Sequence, residues 1–211
     1  MKKLFILTTI LVLGAWMKVA AQDAATASKR ANQQYVLFES ERDKGTNVTA
    51  MYTYLLDSYG QFIKVVEAPD NGQYLSGAKN RLRAMYPYLL NGAVYYSEQK
   101  QPSKALDFAA AYIEMPQLKI FRSELLPKDS RYASVVYYAA VSAYNLQKYS
   151  QALKYFQEYL NTGVDAQEKD CYVYMNMIYQ AQKNYDEQEK ILEKAIAKYP
   201  VSLDFLYNLV N

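Results

Sequence analysis

Apolar residues recur along most of this chain at i, i+3, i+4 and i+7, the period of a helix buried on one face. No stretch sustains the strict alternation of a half-buried strand, so the expected class is all-α. Punctuation falls between the periodic segments: Lys44-Gly45-Thr46, Ala68-Pro69-Asp70-Asn71-Gly72, Gln101-Pro102-Ser103, Pro116, Pro127-Lys128-Asp129-Ser130, Asn161-Thr162-Gly163 and Pro200. Asp, Asn and Ser cap helix starts and Gly ends helices. The segments between are mostly about 12 to 20 residues long, and short turns between such helices make antiparallel neighbours. Residues 25–43 and 48–66 read as one helix pair, with Ala50 and Tyr54 on its second helix, and residues 74–86 as a long helix. Pro87 either kinks or interrupts that helix or opens the next one, both being positions where proline is found.

Internal repetition appears further along. Residues 89–116, 135–160 and 172–200 each show an aromatic-rich helix, a short polar turn and a second helix opening near an Ala-Leu pair. Aligned in this way, Ala105, Ala152 and Gln188 share one position, 47 and then 36 residues apart. Residues 117–130 are then an insertion after the first pair. After Pro200, Leu203, Leu206, Leu209 and Val210 begin the apolar pattern of a further helix. It is either a short cap or the start of more repeats, and the little room for a polar outer face favours a fragment of a longer array.

These units resemble the tetratricopeptide repeat (TPR) family, with its repeat of about 34 residues. In the last unit Tyr172, Met175, Tyr179, Tyr185, Leu192, Ala195 and Pro200 stand at consensus positions, with Asn176 tolerable for a small residue and Gln188 replacing alanine. In the middle unit Val136, Ala139, Ala140, Tyr149, Ala152 and Phe156 fit, while Ala143 and Tyr159 depart. In the first, Leu89, Ala93, Tyr96 and Ala105 fit and Pro102 replaces a tyrosine. The resemblance implies antiparallel helix pairs stacked into a right-handed α-solenoid. The expected organisation is a signal over 1–21, a divergent helical region over 22–86 and TPR-like repeats over 87–211 (87–116, 132–164, 169–200 and a partial 201–211). Small residues in the consensus face each other where the two helices approach most closely, and enlarging one costs roughly 1–3 kcal/mol. Gln188 therefore implies either a looser last pair or an amide with a local partner.

The first 21 residues read differently. Lys2 and Lys3 precede an apolar run from Leu4 to Met17, and Val19-Ala20-Ala21 offers small residues for cleavage before Gln22. That is the pattern of a secretory signal peptide. The run of 14 residues is short for a membrane anchor, which needs roughly 20. The signal also carries the net charge. The chain has 24 basic and 21 acidic residues, and the signal's Lys2, Lys3 and Lys18 leave 21 of each. Nucleic acid is not an expected partner, because phosphate neutralisation needs a basic surface. The expected location is the periplasm of a Gram-negative cell envelope, with no membrane span after cleavage.

Candidate chemistry is sparse. Histidine is absent and Cys171 is the only cysteine, so a disulfide within the chain and a Cys/His zinc site are excluded. Cys171 also lies far from the cleavage site, unlike the lipidated cysteine of a lipoprotein. No cofactor is expected. Ser76-Gly77-Ala78-Lys79 matches S-x-x-K without its K-T-G companion. Tyr144 and Lys148 have a dehydrogenase-like spacing without a Gly-rich turn. Glu187, Glu189 and Glu193 alternate with Lys183, Lys190 and Lys194, as on a solvated helix face. Cys171 opens a helix, where a thiol pKa can fall, although a small buried core residue is the role expected of it.

The 23 tyrosines suit either helix packing or an adhesive surface. Packing is expected for about two thirds, including Tyr96, Tyr149, Tyr172, Tyr179 and Tyr185. The TPR resemblance places Leu90, Val94, Ser97 and Glu98, then Ser134, Tyr137, Val141, Tyr144 and Asn145, then Asp170, Val173, Met177, Gln180 and Ala181 along a concave groove. The Lys, Asn and Arg clamp by which some family members hold acidic tails is absent: Leu90, Val94, Tyr137, Val141, Val173 and Met177 occupy its positions. The expected function is a non-catalytic scaffold or adaptor that binds a protein or peptide. The alternative is a glycan- or nutrient-binding module of an outer-membrane uptake system.

Overall fold

The computed structural model describes residues 24–69, 71–124, 126–203 and 205–206. Residues 1–21, expected to be a signal, and Gln22, Leu209 and Val210 lie outside the described residues. Within them the chain is all-helical, with no strand. The helices are α1 (24–44), α2 (Val48–Glu67), α3 (Gly72–Glu98), α4 (Pro102–Glu114), α5 (Tyr132–Asn145), α6 (Tyr149–Asn161), α7 (Glu168–Ala181) and α8 (Tyr185–Lys198). Two single 3-10 turns, Met115–Gln117 and Lys119–Phe121, follow α4. A further helical turn opens at Leu203.

The chain divides into two compact units. One holds the residues through Gly92 together with Ala111–Leu126, the other Ala93–Ala110 and everything from Pro127. Pro87 does not separate helices: α3 runs through it. Proline removes one N–H and crowds the carbonyl a turn earlier; that carbonyl belongs to Arg83, and Pro87 and Arg83 are both exposed residues.

In the first unit α1 and α2 pair as the periodicity predicts. Gly45 takes a φ of 66°, the left-handed conformation open to glycine, and ends α1. Asn47 opens α2, its Oδ1 accepting the N–H of Ala50 at 3.0 Å. Ser58, fully buried, donates to the Ala31 carbonyl at 2.9 Å and so ties the two helices. Asn71 closes the far end of α2 by donating to the carbonyls of Val65 and Val66. The core gathers Phe38, Leu55, Phe62, Leu82, Met85 and Leu89. The insertion after α4 is part of this unit's structure. Met115 and Phe121 are fully buried, and Glu124 takes ion pairs from both Lys79 and Arg83. Those pairs hold the Glu124 carboxyl below its ordinary value. Tyr112 stacks on Tyr86 at 4.5 Å between ring centres.

The second unit contains three helix hairpins with one turn geometry. Lys100, Gln147 and Lys183 take φ values of 54°, 57° and 56°. Each stands five residues before the shared position of Ala105, Ala152 and Gln188. The next N–H of each turn reaches back five residues, from Gln101 to Tyr96, Lys148 to Ala143 and Asn184 to Tyr179, all at 2.9 Å. The left-handed residue itself donates to the carbonyl three residues back, on Ser97, Tyr144 and Gln180 respectively. This pair of bonds is the Schellman ending, which satisfies carbonyls a helix terminus would leave open. Pro102 fits as the first residue of α4, where its missing N–H costs nothing. Within the unit α7 packs on both α5 and α6.

The close-approach positions follow the sequence. Ala93, Ala105, Ala140 and Ala152 are all buried. In the last hairpin the amide of Gln188 donates to Asn176 Oδ1 at 3.0 Å, so the two departures from small residues partner each other. At the ends of the same hairpin, Glu168 is buried and meets Lys198, and Tyr199 donates to its Oε2 at 3.1 Å. Val173 belongs with Tyr172, Ile196 and Tyr199 around a small core of Leu192, Ala195 and Phe205.

Candidate functional site

The tyrosines are mostly structural. Of the 22 described, only Tyr138 and Tyr185 are exposed, at 62% and 65%. The repeat pattern expects Tyr185 inside; as the first residue of α8, just past the Asn184 cap, it points to solvent instead. Tyr96 is buried and stacks on Phe108 at 5.4 Å. Tyr159 is fully buried and uses its hydroxyl twice, donating to Gln167 Oε1 at 2.8 Å and accepting the Gln167 N–H at 3.0 Å. That fixes the link from α6 to α7.

The residues assigned to the groove differ in exposure. Leu90 is 2% exposed and belongs to the first unit. Tyr137 is half-buried, with its ring 5.6 Å from Tyr159 and 6.4 Å from Phe156, and its hydroxyl points to Asp170 Oδ2 at 3.4 Å. Burial, then the Asp170 carboxylate, pushes its phenol well above the ordinary value. Tyr144 meets Tyr174 edge-on at 5.0 Å and Tyr149 at 6.1 Å. Tyr174 in turn stacks on Phe156. Both groove tyrosines therefore join α5 to α6 and α7. Val141 is half-buried; Ser134, Asn145, Met177, Gln180 and Ala181 are exposed. Val173 packs against the Leu192 core.

A different cleft is present in the second unit, with a volume of about 150 Å³. Its floor is Ala93, Ala105, Ala109, Val135 and Ala139, all buried. Val94 and Ser142 form half-buried walls, and Ser97, Glu98 and Tyr138 stand exposed at the rim. Val94, Ser97 and Glu98 are also among the groove positions that the repeat resemblance assigns. Tyr138, Val135 and Ser142 were missed, because the face of α5 turned to the first hairpin is offset from the face bearing Tyr137. The signal was available in the alanines: Ala93, Ala105 and Ala139 leave a hollow where larger residues would fill it.

The candidate chemistries separate on the same footing. Ser76 is exposed near the start of α3, and Lys79 is engaged by Glu124. Cys171 is fully buried, and burial, with the charges of Asp170 and Glu168 next, pushes its thiol up to about 12. The helix start does not activate it. Glu187 pairs with Lys190 at 2.6 Å on an exposed face of α8. Among the described residues no group of three or more His, Cys, Asp or Glu gathers to hold a metal, and no helix is long and apolar enough to cross a membrane. No family model and no curated protein matches this chain.

Proposed function

We propose that this chain is an exported TPR-type scaffold or adaptor of the bacterial cell envelope that binds a protein or peptide and carries no catalytic role. The observation that carries the reading is the alanine-floored cleft of the second unit, open beside an exposed tyrosine. The three hairpins with one turn geometry support the repeat resemblance. The apolar floor favours a polypeptide side chain over the glycan alternative. A sugar ring needs several convergent hydrogen-bond partners, and here Ser97, Ser142, Glu98 and the Tyr138 hydroxyl supply side-chain polar groups at the walls and rim, with none on the floor. The tyrosines that would stack on sugars are mostly engaged with each other.

Selection of random displayed peptides against the full chain tests the reading. Enriched peptides are expected to bind at least tenfold more weakly to Ser142→Phe, which fills the cleft from a half-buried wall. Ser97→Trp, at the exposed rim, gives the same loss if the first variant disturbs folding. Peptides indifferent to both variants, or glycan-array binding in their place, would overturn the assignment.

A further inference from the structure

The cleft's rim carries one charge. Glu98 is exposed at the end of α3, and among the described residues no cation pairs with it. Beside the same cleft Tyr138 presents its ring at 62% exposure. A free carboxylate and an open aromatic face attract the same kind of group, a cation. An apolar hollow opens beside both. About 150 Å³ is the size of cavity that holds a benzene-sized apolar molecule, so it has room for one side chain. The two features are adjacent, so a ligand that satisfies both must carry an apolar anchor next to a positive charge.

We propose that the cleft reads a two-residue feature of a partner polypeptide: an aliphatic side chain seated on the alanine floor, with a neighbouring lysine or arginine held between Glu98 and Tyr138. This rests on the peptide-binding reading above and gives it a specificity. An acidic neighbour in place of the cation meets Glu98 as a like charge. The formally neutral balance of the chain beyond its signal means that net charge does not supply this preference. It belongs to the rim.

Two fluorescent hexapeptides test it, identical except that a central leucine is followed by lysine in one and by glutamate in the other. Binding is followed by anisotropy, with amide chemical shifts of the full chain locating the site. The lysine peptide is expected to bind about three- to fivefold tighter, the upper part of the range for an exposed ion pair, and the gap should narrow in high salt. Glu98→Lys should invert the order, and Tyr138→Leu should reduce the lysine preference while keeping leucine-dependent binding. Equal affinities for the two peptides, or an order unchanged in Glu98→Lys, overturn the inference. If Ser142→Phe still abolishes binding in that case, the peptide-binding reading stands and only the charge specificity falls. Loss of the leucine requirement when it is replaced by serine in the probe is the converse failure, and removes the apolar anchor.

Discussion

Lys100, Gln147 and Lys183 carry a Cβ in a backbone conformation that glycine adopts freely. The left-handed conformation costs an L-residue about 1–2 kcal/mol, and glycine's larger unfolded-state freedom offsets about 0.4–1 of it. Each change to glycine should therefore stabilise the chain by about 0.5 kcal/mol, read as a higher urea midpoint with an unchanged slope. A lower midpoint would show that the side chains at these turns contribute contacts of their own. The Asn176–Gln188 bond makes a sharper case. Gln188→Ala leaves a buried amide oxygen without its donor, a loss of roughly 1–3 kcal/mol. Replacing both residues by alanine restores the small pair found in the other hairpins and should recover most of that loss. Strictly additive effects in the double-mutant cycle would mean the amides do not interact. Of the two alternatives that the misplaced glutamine leaves open in the sequence, the local partner is the one present.

At the scale of elements, the helix pairs were legible because each rests on a local period of 3.6, with Gly45, Asn47, Gly163 and Asn184 marking some of the ends. The end of α1 and both ends of α2 match their predicted limits within a residue. Two features were not legible. Pro87 reads from sequence as a kink, an interruption or the opening of the next helix, and α3 in fact continues through it at an exposed position. Residues 117–130 read as an insertion without a role, because the pairing of Glu124 with Lys79 and Arg83 spans about forty residues and leaves no local signature. The α6–α7 link is similar. Tyr159 departs from the repeat consensus, and its hydroxyl serves both the side chain and the backbone of Gln167. Tyr159→Phe keeps the packing and removes both bonds, so it should cost about 1–2 kcal/mol and raise amide exchange at the start of α7. Unchanged exchange there would assign the tyrosine to packing alone.

For the whole molecule, the same tyrosines that dilute the adhesive-surface reading set the response to pH. With no histidine, no side chain of ordinary pKa titrates over roughly pH 6 to 8. At higher pH the picture changes. Burial raises the phenols of Tyr35, Tyr137, Tyr159, Tyr172, Tyr179 and Tyr199, and raises Cys171 from 9.0 to about 12. A group whose folded pKa lies above its unfolded value holds its proton longer in the folded state. Its stabilising contribution is complete below the unfolded value and is lost as pH rises towards the folded one. The thermal midpoint should thus be flat through neutrality and fall steeply from about pH 9, where Cys171 begins to count, with the tyrosines joining from about pH 10. Cys171→Ala should soften only the first part of the fall. Phenolate absorbance of the buried rings should appear together with loss of helical circular dichroism, because these rings ionise only as the packing around them opens. Phenolate forming at ordinary tyrosine pH while the helices persist would mean that water already reaches the aromatic contacts of α5, α6 and α7, and that those tyrosines are available to a ligand after all.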